Sequence, residues 1–183
     1  MAKRFNYPNK KQIKKPRKAI NYANRGKGFE NDIIRTNNGY LSKGWAFVEK
    51  VEPAVQIQQD LGNKVIGFKK EKGFVDFFGC SHGRPLAFEA KKTTSRTSFP
   101  LSNIKQHQMD VLKFWQDQGG IAFFLIQFEK LHEVYFVHYE QVNEWWIQSK
   151  AGGRKSIPYS YFMMECDLVK TQRGVPYDYL SCI

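Results

Sequence analysis

Asp76, Glu89 and Lys91 are the residues whose types and spacing point to chemistry in this chain. They fall in the stretch Phe74 to Lys91, which reads as two short strands joined by a turn, with Gly79, Gly83 and Pro85 as breakers. The first strand carries Asp76. On the second, Leu86, Phe88 and Ala90 alternate with Ala87, Glu89 and Lys91. A period of two places Glu89 and Lys91 on one face, about 6.6 Å apart along the strand, and a neighbouring strand brings Asp76 within reach. Two carboxylates and an ammonium converging in this way would make a Mg²⁺ site with a water-orienting lysine beside it. An amphipathic strand with solvated charges gives the same local pattern, so the rest of the chain has to decide between the two.

The elements that must position these groups are legible in outline. A helix is predicted from Asn24, its cap, to about Leu41, with Phe29, Ile33, Thr36 or Asn37, and Tyr40 along one stripe and Glu30 near its start. Trp45 to Val51 reads as a strand ended by Pro53. Val55, Ile57, Val65, Ile66 and Phe68 suggest two more extended pieces around a turn at Leu61 to Lys64, as a projecting hairpin or a plain meander. After Lys91 the segment Lys92 to Ser98, containing Arg96, reads as a polar loop suited to hydrogen-bonding phosphates. A helix capped by Ser102 or Asn103 is predicted to run to Gln118 and stop at Gly119-Gly120. Its apolar face is Ile104, Val111, Leu112 and Trp115. His107 and Gln108 fall on that face, as satisfied core groups or as the edge of a site. Ile121 to Phe128 reads as a buried strand, paired with or near Glu133 to His138. Tyr139 to Ile147 reads as helix, and Gly152 to Ser156, with Arg154, as a basic turn able to meet a backbone phosphate.

Charge is distributed unevenly. The 183 residues carry a formal net charge of +12, which makes an anionic partner the default expectation. Residues 1–28 hold ten of the 29 Lys and Arg and no acid, so the remaining 19 nearly balance the 17 acids. The excess therefore sits in an N-terminal arm, residues 1–24, where Lys10, Lys11, Lys14, Lys15, Arg17 and Lys18 are spaced by polar residues and proline. We read it as a flexible basic arm for phosphate backbones, with a solubilising tail or a localisation signal as the alternatives. Lys69, Lys70 and Lys72 add a second basic run. Three cysteines without a CxxC spacing indicate neither a disulfide framework nor a zinc site, and favour a reducing, cytoplasmic setting. The longest apolar run, Ile121 to Ile126, is too short to span a bilayer, so no membrane partner is expected.

Taken in order, the segments resemble the RecU family of Holliday junction resolvases, within the PD-(D/E)xK nuclease superfamily. The matching pieces are Asn24-Arg25-Gly26 with Glu30, Pro53 to Ile57, Asp76 to Gly79, and Gly83-Arg84 leading into Phe88 to Lys91. Thr97 to Leu101, His107-Gln108, Gly120-Ile121, Tyr135-Phe136 and Gly153 to Ile157 follow in register. The resemblance implies an α/β (α+β) fold with a PD-(D/E)xK, restriction-endonuclease-like core, in which a central mixed sheet is flanked by helices and a short hairpin or stalk projects. It implies a single nuclease domain over 25–183, with 53–73 as a reduced stalk. It also implies a homodimer, dependence on Mg²⁺ with Mn²⁺ as a substitute, and paired nicking of four-way DNA junctions. By the same match Asp76, Glu89 and Glu30 would be metal ligands, Lys91 would position the attacking water, and Gln108 would support the site. Arg25, Arg96 and Arg154 join the basic residues above as expected DNA contacts. Two departures stand out: Val75 replaces the Thr common in the family, and the stalk is shorter than in cellular members, as would suit a phage-encoded protein acting at the nucleoid. A restriction-like or repair nuclease acting on linear or damaged duplex, and a non-catalytic DNA-binding protein, are the rival readings.

Overall fold

The alternation in Leu86 to Lys91 is realised as β5 (Arg84–Thr93), an inner strand of a six-stranded mixed sheet. The structure, a computed structural model, describes residues 27–52, 55–69 and 73–183. In chain order the sheet is built from β1 (Phe47–Lys50), β4 (Phe77–Ser81), β5, β7 (Ile121–Phe128), β8 (Glu133–His138) and β10 (Asp167–Leu168), which lie side by side in that order. Only β5 and β7 run parallel, from Leu86↔Ile121 to Thr93↔Phe128. A parallel pair needs a crossover, and α2 (Gln106–Asp117) supplies it.

The central strands β5, β7 and β8 send alternate residues to two different cores. On one face Phe77, Leu86, Phe88 and Phe123 meet Phe29, Ile33 and Tyr40 of α1 (Lys27–Ser42). Phe77, Phe88, Phe123 and Phe136 stack across four adjacent strands, with centroids 5.0, 4.6 and 4.4 Å apart. On the other face Ala87, Ala122, Phe124 and Ile126 meet Met109 and Leu112 of α2 and Val142 of α3 (Tyr139–Lys150). The predicted stripe on α1 is buried as read, including its polar members. The Tyr179 hydroxyl donates to Asn37 Oδ1 at 2.7 Å, and the Tyr177 N–H donates to Thr36 Oγ1 at 3.1 Å. The C-terminal segment therefore closes this core.

β2 (Val55–Asp60) and β3 (Val65–Lys69) pair only with each other, and their described side chains are exposed. Of the two readings of this stretch, the projecting hairpin is the one found. Its turn is set by Gly62 at φ 79°, a left-handed conformation that suits glycine.

Several boundaries differ from those read in the sequence. β5 runs on to Thr93 because β7 continues alongside it to Phe128. The polar stretch after it ends in β6 (Ser98–Pro100), which pairs with β9 (Ser156–Pro158). Neither short strand, nor β10, is visible in the sequence, since two or three residues carry no usable period. Asp76 lies just before β4 rather than within a strand, its carbonyl taken by the Val51 N–H at 2.9 Å. α2 is not capped by Ser102 or Asn103. Leu101 to Asn103 form one 3-10 turn, Ile104 is extended and buried, and Lys105 is the N-cap. α3 extends three residues beyond Ile147, to Lys150, and is followed by α4 (Tyr159–Glu165) after β9.

Candidate active site

The β4–β5 register brings the two acids together. The ladder runs Phe78↔Ala87, Phe77↔Phe88, so the next step sets Asp76 opposite Glu89. Phe77 and Phe88 point into the α1 core, and Asp76 and Glu89 therefore share the opposite face. Gly79 allows β1 and β4 to approach this closely, because a Cβ there would stand 2.0 Å from the Phe47 carbonyl oxygen. Lys91, two residues beyond Glu89, places its Nζ 2.7 Å from Glu89 Oε2 and 3.9 Å from Asp76 Oδ2. Asp76 Oδ2 also accepts from the Ala90 N–H at 3.3 Å. One amine thus bridges two carboxylates from adjacent strands.

α2 supplies the fourth member. Gln108 is buried, and its Nε2 donates to Glu89 Oε2 at 2.6 Å. Its Oε1 accepts from the Lys105 N–H at 3.0 Å, so the third residue of the helix reaches back to the N-cap backbone in place of a Ser102 or Asn103 side chain capping forward. Gln108 is a buried group satisfied within the protein, and the partner of its Nε2 is Glu89. Both ends of the amide are occupied, so its orientation is set by the helix start and it presents a donor to Glu89. His107 is half-buried and takes no part.

The electrostatics of Glu89 follow from this packing. Its side chain is fully buried, and burial pushes its carboxyl up to about 8. The Lys91 ammonium pulls it back, and the Asp76 carboxylate adds to the rise. Oε2 takes both hydrogen bonds, whereas Oε1 is buried without a partner. A buried oxygen lacking a hydrogen-bond donor is costly, and a hard divalent cation satisfies carboxylate oxygens of this kind. The residues present fit such an ion.

Glu30 is not brought into the cluster. α1 packs on the other face of the sheet, and Glu30 Oε2 lies 3.2 Å from Lys50 Nζ, which also reaches Glu52 at 3.3 Å. Lys50 is opposite Phe77, so the pair stands at the same end of the sheet as Asp76 but on the far side. Among the described residues, no group of three His, Cys, Asp or Glu side chains is arranged to hold a metal ion. The sequence reading missed Lys50, because nothing in the spacing links it to Glu30 before the helix is packed on β1.

A cavity of about 500 Å³ opens beside Lys91, lined by Thr94, Ser95, Asn103 and Glu129 among others. Glu129 holds Lys92 at 2.7 Å. Of the expected DNA contacts, Arg96 and Arg154 are exposed, and Lys69 lies at the end of β3. Lys10, Lys11, Lys14, Lys15, Arg17, Lys18, Arg25, Lys70 and Lys72 lie outside the described residues. Among the described residues no helix is long and apolar enough to cross a membrane.

A protein named Holliday junction resolvase RecU from Pediococcus pentosaceus is 32% identical over 193 residues, covering 98% of this chain and 96% of that protein. One of the same name from a Geobacillus species (strain WCH70) is 36% identical over 167 residues, covering 84% and 83%. One from Geobacillus thermodenitrificans is 37% identical over 146 residues, covering 76% and 73%. Among solved structures, Archaeoglobus fulgidus Hjc overlays with a TM-score of 0.47 and 14% identity, covering 76% of this chain and 93% of that one. The family described as RecU, Recombination protein U, matches residues 24–183, and the chain belongs to that family.

Proposed function

We propose that this chain is a metal-dependent endonuclease that resolves four-way DNA junctions by paired, symmetric nicks. The observation that carries the reading is the buried cluster in which one amine bridges Asp76 and Glu89 while Glu89 Oε1 has no partner. It occurs in a chain whose relatives over nearly its full length are named Holliday junction resolvases.

The chemistry is hydrolysis of a phosphodiester bond. A divalent ion, Mg²⁺ with Mn²⁺ as a substitute, supplies a lowered water pKa and charge stabilisation of the leaving oxygen when bound. Asp76 and Glu89 would hold it through their carboxylates. Burial favours the protonated form of Glu89, so this carboxyl would have to lose its proton to serve as a ligand. Lys91 orients the attacking water from its position against both acids. Gln108 keeps Glu89 Oε2 occupied and would leave Oε1 as the oxygen available to a bound ion.

A junction offers two symmetry-related strands. A two-fold homodimer presents two identical sites at a fixed separation, which matches the need for paired cuts. The β2–β3 hairpin is the element placed to engage the open centre of the junction. The basic arm and Arg25, with Lys69, Lys70 and Lys72, contribute contacts to phosphates that fix position without reading sequence.

The test compares nicking of a synthetic four-way junction with nicking of linear duplex of the same sequence, in Mg²⁺ and in EDTA. Junction-selective, Mg²⁺-dependent paired nicks are expected. Asp76→Asn and Glu89→Gln are expected to lower nicking by more than ~10²-fold while junction binding persists. Equal cutting of linear duplex would move the reading to a restriction-like or repair nuclease. Undiminished cutting by either variant would remove the metal site.

A further inference from the structure

Some cations of the folded body are neutralised and others are not. Lys50, Lys91, Lys92, Lys113 and Arg173 are each paired with an acid. Arg96, Lys105, Lys150, Arg154 and Lys155 are all exposed, and among the described residues none of them forms an ion pair. They come from two stretches of the sequence, Arg96 with Lys105 and Lys150 to Lys155, which the pairing of β6 with β9 sets side by side. Arg96 precedes β6, and Arg154 and Lys155 precede β9, which pairs with β6 through Pro100↔Ser156. The Leu101 N–H donates to the Lys155 carbonyl at 3.0 Å, and Lys155 Nζ donates to the Ser149 carbonyl at the end of α3. Lys150 lies one residue further along α3, its Nζ 4.7 Å from the centre of the Trp146 ring. Lys105 follows the 3-10 turn and opens α2.

This surface is joined to the catalytic cluster. The cavity beside Lys91 reaches Pro100 and Asn103. A second cavity, of about 370 Å³, is lined by Leu101, Ser102, Trp146, Lys150 and Lys155. The two flank the same 3-10 turn, Leu101 to Asn103, from its two sides. A path therefore runs from Lys91 over that turn to Lys150 and Lys155.

We propose that the β6–β9 ribbon, with the start of α2 and the end of α3, is a docking track for one duplex arm of the DNA substrate, held through its phosphates. Exposed, unpaired Lys and Arg side chains along a path that ends at the scissile site are what backbone recognition requires. Trp146 contributes an apolar floor under Lys150 and takes no base. The track gives the folded body its own grip on DNA, separate from the N-terminal arm, and sets the direction in which the strand enters the site. It rests on the nuclease reading for the identity of the substrate.

The experiment measures binding of a four-way junction in EDTA as a function of salt, using the full chain. Lys150→Gln combined with Arg154→Gln is compared with Lys43→Gln combined with Arg84→Gln. Lys43 and Arg84 sit at the other end of the sheet, by Trp45 and the β4–β5 turn. Each phosphate that is no longer neutralised lowers the slope of log affinity against log salt by about 0.9, so the first pair is expected to lower it by about 1.8 for each protomer that grips an arm. The second pair is expected to retain the wild-type slope. Equal reductions in both pairs, or none in the first, would overturn the track. Because binding is read without metal, that outcome is separate from a failure of the wild-type protein to nick junctions, which would overturn the nuclease reading instead.

Discussion

At the scale of single residues, the site depends on how Glu89 is held. Its carboxyl is buried, with one oxygen doubly bonded and the other unpartnered. Gln108→Ala removes the donor that locks this arrangement without touching a ligand. We expect nicking to fall by about 10–100-fold, the range typical of outer partners of metal ligands, with a matching rise in the Mg²⁺ concentration needed. Equal activity at low Mg²⁺ would show that the amide only caps α2. The raised titration of Glu89 has a defined sign. Between the ordinary value of 4.5 and about 8 the folded, metal-free protein keeps a proton that the unfolded chain has lost. Stability in EDTA should therefore fall as pH rises through that window, and Mg²⁺ affinity should rise up to about pH 8. Denaturation from pH 5 to 9 checks this, and Glu89→Gln should flatten the curve. A wild-type curve that rises over the window would contradict the upward shift that burial gives Glu89.

Among the elements, the β2–β3 hairpin stands apart. It contributes nothing to either core, yet carries Val55, Ile57 and Phe68 more than half exposed. Apolar side chains kept in water on a projecting ribbon suit contact with unstacked bases, such as those at the centre of a branched DNA. Replacing residues 55–69 with a short Gly-Ser link should leave folding intact, because no core residue is removed. It should reduce the preference for junction over linear duplex by roughly 10-fold or more while Mg²⁺-dependent nicking persists. Unchanged preference would assign selectivity to another element. The hairpin was legible because Leu61 to Lys64 is a turn between two β-branched runs. Its separation from the main sheet was not legible, since pairing partners depend on which edge the packed sheet leaves open.

For the whole molecule, charge is the organising quantity. The body is close to neutral and the first 28 residues carry ten cations. Deleting residues 1–24 should weaken junction binding and flatten its salt dependence, the slope falling by up to about 0.9 for every phosphate the arm neutralises. A slope that does not change would leave the arm with no part in binding. Two copies of this chain acting together would double the number of phosphates neutralised, so the effect should be read as a slope rather than as a single affinity.

Local pattern alone settled much of this protein. The period of two in Leu86 to Lys91, the stripe Phe29, Ile33 and Tyr40, and the apolar run from Ile121 are properties of neighbouring residues, and all reappear as strand, helix and strand. The partnership of Asp76 with Glu89 was also within reach, because a tight antiparallel pair fixes its register through a short turn. Other features needed the folded chain. Gln108 became a bonded neighbour of Glu89 only when α2 crossed from β5 to β7. Glu30 went to Lys50 because α1 covers the far face of the sheet. Arg96, Lys105, Lys150, Arg154 and Lys155 came together through β6 and β9, two strands too short to announce themselves. Contacts between segments distant in sequence arise from how the elements pack, and spacing along the chain carries no record of them.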